Sequence, residues 1–109
     1  MKITIEGIDN VAIKCRIKKM IMDNEIRTWE FVKELKYSRL MHNGDEQYED
    51  VVLMFKSKEG DNSVDIIPKV RDGVEDEETA ESHFGVVMGR FAELLNCHFP
   101  DLGSYKTFL

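Results

Sequence analysis

Residues 80–95 read Ala-Glu-Ser-His-Phe-Gly-Val-Val-Met-Gly-Arg-Phe-Ala-Glu-Leu-Leu. Ala80, Phe84, Val87, Met88, Phe91 and Leu95 recur there at helical spacing, so they form one apolar stripe along a helix. The surrounding residues predict a long amphipathic helix over about 77–98. Acidic residues before and within its first turn suit the positive end of the helix dipole, and Pro100 stops it. A stripe of this length needs a complementary apolar surface, and the upstream sequence offers a sheet.

Val51–Phe55 is an apolar run bounded by charges, and Ser63–Ile67 reads as a further strand, closed by Pro68. The stretch 37–41 reads as another strand, ending at His42-Asn43-Gly44-Asp45, where Asn-Gly is a strong turn dipeptide. At the N-terminus, Ile3 and Ile5 alternate with Lys2, Thr4 and Glu6, and Gly7-Ile8-Asp9-Asn10 supplies turn chemistry. Val11, Ile13, Cys15 and Ile17 then alternate with charged residues, which predicts a second strand and an opening β-hairpin; a helix starting at Asn10 is the competing reading. Asp23 or Asn24 reads as an N-cap, and Ile26, Trp29, Val32 and Leu35 recur at helical spacing, predicting a shorter helix over about 24–36. The apolar tail, Leu102–Leu109, with Tyr105, Phe108 and Leu109, is expected to add an edge strand or dock on the sheet. The expected fold is one α+β domain over 1–109: an antiparallel sheet of four to five strands, one shorter helix and one long C-terminal helix.

The 109 residues have room for one modest core. A composition 42% hydrophobic and 33% charged, with 7 Gly and 2 Pro, is that of a folded globular chain rather than a disordered one. No apolar run approaches the roughly 18–20 residues of a membrane span, and MKITIEGIDN lacks the apolar core of a signal peptide. A cytoplasmic location is expected, with Cys15 and Cys97 as reduced thiols.

The sequence carries no assembled catalytic constellation. His83 and the pair Cys97-His98 stand 14 and 15 residues apart on one predicted helix, about 20 Å at 1.5 Å per residue, too far to share an ion. His42 has no companion ligand at a fixed offset. Ser82-His83 are only neighbours, whose side chains diverge on a helix, and no nucleophile-elbow, phosphate-loop or dinucleotide motif is present. The expectation is therefore a non-enzyme without catalytic residues, metal, cofactor or small-molecule substrate.

Charge is the informative feature. Residues 1–44 carry nine Lys and Arg against six acids, a balance of +3, whereas residues 45–109 carry six against fifteen, a balance of −9. The acids cluster in expected loops: Asp45, Glu46, Glu49 and Asp50 in one, Asp72, Glu75, Asp76, Glu77 and Glu78 in another. Merged into one surface, they attract basic partners and repel nucleic acid, with Tyr48 as the candidate buried anchor. A small acidic module of this kind suits an inhibitor, of the immunity or phage anti-defence type, that covers the basic nucleic-acid-binding surface of a partner protein. Two alternatives stand beside it. Lys14, Arg16, Lys18 and Lys19 on one exposed strand face would make a nucleic-acid-binding patch. Gly85, Gly89 and Ala92 form a small-residue strip on the long helix, suited to packing on the protein's own sheet or to pairing two copies in a homodimeric structural or chaperone-like subunit.

Overall fold

A computed structural model describes residues 1–102 and 105–108; Leu109, counted above with the apolar tail, lies outside them. The chain runs β1 (Lys2–Glu6), α1 (Asn10–Met22), β2 (Trp29–Glu34), β3 (Tyr37–His42), β4 (Val51–Lys56), β5 (Ser63–Val70), α2 (Glu77–Ser82), α3 (Phe84–His98) and β6 (Tyr105–Phe108). Short 3-10 turns stand at Glu46–Tyr48 and Pro100–Leu102. The six strands form one antiparallel sheet in the order β2-β3-β4-β5-β1-β6. This is the expected α+β class with one strand more than the upper expectation.

The first helix replaces the expected second strand. Asp9 caps α1 by accepting from the Ala12 N–H at 2.8 Å, and buried Ile8 and Ile13 stand at the positions of a hydrophobic staple across that cap. Ile13 and Ile17 are buried while Val11 and Cys15 are exposed, so the apolar spacing that counts is i, i+4 and not i, i+2. Asp23-Asn24 ends this helix instead of starting another. Asn24 adopts φ 66°, with its N–H bonded to the Ile21 carbonyl and the Glu25 N–H to the Met20 carbonyl, a Schellman closure.

The helix expected over 24–36 is instead the first arm of a hairpin. Trp29 pairs with His42, Phe31 with Leu40 and Glu34 with Tyr37, leaving Leu35-Lys36 as the turn. Aromatic and β-branched residues suit a half-buried strand better than a helix, and the partner strand at 37–42 decides the matter. Strand β5 runs through Pro68 to Val70; Pro68 is opposite Leu53 of β4, while β1 reaches only Ile66 on the other side. The missing N–H therefore deprives no neighbour of a bond. The long helix is broken at His83 into α2, capped by Asp76 on the Thr79 N–H, and α3.

The helices pack on one face of the sheet. Phe91 is fully buried, edge-on to Trp29 and Phe55, and joins Ile13, Ile17, Ile66 and Val87 in the core. Val87, Met88 and Leu95 are buried as the stripe requires, and Phe84 is half-buried. The tail forms β6, an edge strand on β1.

Candidate functional site

The acidic segments that the sequence separates meet at one end of the sheet. The Arg71 N–H donates to the Asp50 carbonyl at 2.8 Å and Arg71 Nη1 to the Glu49 carbonyl. The Asp50 carboxylate holds His83 Nδ1 at 2.9 Å, which ties the β3–β4 connection to the junction of α2 and α3. Several acids have local work. Asp45 caps the 3-10 turn, and its bonds from the Gln47 side chain and N–H hold its carboxyl below the usual range. Asp76 caps α2 and is held low by Thr79 in the same way. Asp72 pairs with Lys69 at 2.8 Å, a bond that raises the Lys69 pKa. Glu46, Glu49, Glu75, Glu77 and Glu78 have no ion pair among the described residues. Tyr48, expected as an anchor for a partner, is half-buried against the core and edge-on to His83 at 5.1 Å. It anchors its own loop.

The basic patch expected on one strand face does not form, because residues 14–19 lie on α1. Successive residues there turn by about 100°, so Lys14 and Lys18 share a side while Arg16 points nearly opposite. Lys14 and Lys18 lean over Phe55 and Phe31, and burial lowers the Lys14 pKa. Arg16 is committed to Asp101 by two bonds of 2.9 Å and lies over Phe99. Lys19 is exposed on a third direction. The small-residue strip also differs from the expectation of packing on the protein's own sheet. Gly85 and Gly89 are exposed, a side chain at Gly89 would meet nothing within 4 Å, and Ala92 is half-buried.

A second feature went unread in the sequence: a cleft of about 470 Å³ between the C-terminal half of α3 and the open end of the β2–β3 hairpin. Arg90, Glu93 and Cys97 line one wall at helical spacing, joined by His98; Arg27, Thr28, Trp29, His42 and Gly44 are opposite. His42 is only 4% exposed, and its Nδ1 is sealed from solvent without a hydrogen-bond partner. The Trp29 ring stands edge-on to the imidazole at 5.0 Å. Gly44 lies close to the ring, since a Cβ there would come to 3.0 Å of His42 Cε1 and 3.2 Å of Thr28. Burial, then the Arg90 charge, holds the imidazole below its ordinary pKa, against the opposing pull of Asp45 and Glu93. The readable signal was the polar row Arg90, Glu93, Cys97 running beside the apolar stripe. Its target, His42, lies 48 positions from Arg90, and only folding brings them together.

Among the described residues no group of three or more His, Cys, Asp and Glu is placed to hold a metal ion, and no helix is long and apolar enough to cross a membrane. Comparison of the chain with protein-family models, curated proteins and solved structures gives no match.

Proposed function

We propose that this chain is a protein-binding inhibitor, of the immunity or anti-defence type, acting in the cytoplasm. Its acidic end would cover a basic, nucleic-acid-binding surface of a partner protein. The observation that carries this reading is the joining of segments 45–50 and 71–78 through Asp50, Arg71 and His83. That joining supports a shared acidic surface, since it links the two segments that carry Glu46, Glu49, Glu75, Glu77 and Glu78, none of which has an ion pair among the described residues. Such a field accelerates encounter with a cationic surface and loses strength as salt rises. The competing nucleic-acid-binding reading has less support, because the four cations of α1 do not share one face: Lys14 and Lys18 lie on one side, Arg16 nearly opposite them, and Arg16 is paired with Asp101.

The test begins with retrieval of the partner from a lysate at low salt, followed by its association kinetics with the purified protein. Reversal of Glu46, Glu75, Glu77 and Glu78 to Lys spares the capping and paired acids. It should slow association at least about tenfold and flatten the salt dependence. An unchanged rate, or tight binding of DNA or RNA by the wild-type protein at physiological salt, defeats the reading.

The open Gly85–Gly89 face, with Val86 exposed beside it, supports a second reading in which two copies pair through α3 in a structural or chaperone-like role. Light scattering returning only the 12.7 kDa monomer at high micromolar concentration removes it.

A further inference from the structure

We propose that the cleft between α3 and the β2–β3 hairpin is a binding site for a small molecule bearing a compact oxyanion, carboxylate or phosphate, held by Arg90, Arg27 and His42. The argument begins with His42. A buried polar atom without a partner costs free energy, and a missing bond is costlier for an N–H than for a bare acceptor. The sealed Nδ1 is therefore the unprotonated nitrogen, and the neutral ring carries its proton on Nε2. Of the two nitrogens only Nδ1 is both sealed and partnerless, so the Nε2 N–H is the donor left for the cleft that His42 lines.

The ring is packed into place: Trp29 stands edge-on to it at 5.0 Å, and Gly44 lies so close to Cε1 that a side chain there would come to 3.0 Å of it. Such preorganisation is what a recognition site needs and what a solvent-filled groove does not. Arg90 has neither a hydrogen bond nor an ion pair among the described residues. Arg27 uses only Nε, donating to the Asn24 carbonyl at 3.1 Å, which leaves its terminal nitrogens. Two guanidiniums and an imidazole N–H on the lining of one cleft match the acceptor-rich edge of a carboxylate or phosphate. Glu25 and Glu93 line the same cleft and accept from an ammonium or hydroxyl elsewhere on the ligand. The volume suits a small polar molecule.

The experiment is an amide-resolved NMR titration of the full chain with sodium glutamate and, separately, with inorganic phosphate, at constant ionic strength. The expected result is saturable shifts at Gly44, Arg90, Glu93 and Cys97 with one probe; glutamate identifies an amino-acid-like ligand and phosphate a phosphorylated one. Arg90→Gln, on the exposed side of α3, should weaken binding about tenfold, as expected for loss of one charged hydrogen bond. Glu78→Lys, on α2 and away from the cleft lining, should leave binding unchanged, which separates this site from the partner surface proposed above. Long-range nitrogen–proton correlations should show His42 protonated at Nε2. Lack of saturation with both probes, equal saturation in Arg90→Gln, which means an adventitious ion only, or a proton on His42 Nδ1 would each overturn the assignment.

Discussion

Glu34 and His42 occupy opposite ends of one hairpin, face opposite sides of the sheet, and are the two buried polar side chains among the described residues, at 7% and 4% exposure. Their surroundings differ completely. Glu34 accepts from the Asp72 N–H at 2.6 Å and from Lys69 at 3.1 Å, with Arg39 Nε 3.9 Å away. His42 has the Trp29 ring edge-on to it, Gly44 close to Cε1 and no partner for Nδ1. A buried carboxylate must be paired, because an uncompensated charge in the interior costs several kcal/mol. A neutral imidazole tolerates one open acceptor. The Glu34 end is accordingly a clamp that ties the hairpin to the start of the acidic segment at Asp72, while the His42 end keeps recognition capacity in reserve.

Four changes would sharpen or break this contrast. The largest effect is expected below the His42 end, where Phe91 supports Trp29: Phe91→Ala should cost about 3–5 kcal/mol in chemical denaturation. A loss under about half a kcal/mol, the level of an ordinary surface change, would mean that the stripe does not rest on the sheet. Glu34→Gln comes next, at about 3 kcal/mol, since it leaves Lys69 and Arg39 facing a neutral amide. His42→Phe keeps the edge contact with Trp29 and removes an unpaired polar atom, so its cost should stay below about 1 kcal/mol. If the two substitutions cost the same, His42 has a partner and the contrast fails.

The pH dependence follows from the depressed His42 pKa. The unfolded chain takes up that proton more readily than the folded one, so the stability at stake is present above the ordinary value of 6.5. It is lost as pH falls through 6.5 towards the lower folded value. His42→Phe should flatten the stability profile over that window, and an unchanged slope would count against a buried neutral imidazole. The smallest effect is expected at the hairpin turn, where Leu35 is 87% exposed and holds φ 53°, a left-handed conformation. Leu35→Gly should stabilise the domain by about 0.5–1 kcal/mol, measured as a higher denaturant midpoint. Destabilisation there would mean that the leucine makes contacts in the folded protein.

Local sequence determined the parts of this protein whose periodicity met no rival. The stripe from Ala80 to Leu95, the strands at Ile3–Ile5, Val51–Phe55 and Ser63–Ile67, and the acidic bias of residues 45–109 were all legible, because burial and charge act at every position of such a segment. Residues 11–17 satisfied both periods over a short run. Only the Asp9 cap and the seat of Ile13 and Ile17 on the sheet selected the helix. Residues 29–34 were decided by the strand they pair with, an influence no local window contains, and Asp23-Asn24 serves equally well to begin a helix or to end one until its φ angle is set. The union of the two acidic segments was an expectation of charge alone, and its means, Asp50 on His83 and Arg71 on Glu49, depends on contacts across more than twenty residues of chain. The cleft belongs wholly to the tertiary structure. Its chemistry rests on His42 losing water and on Arg90 and Glu93 arriving opposite it, and desolvation and long-range approach leave no periodic trace in a sequence.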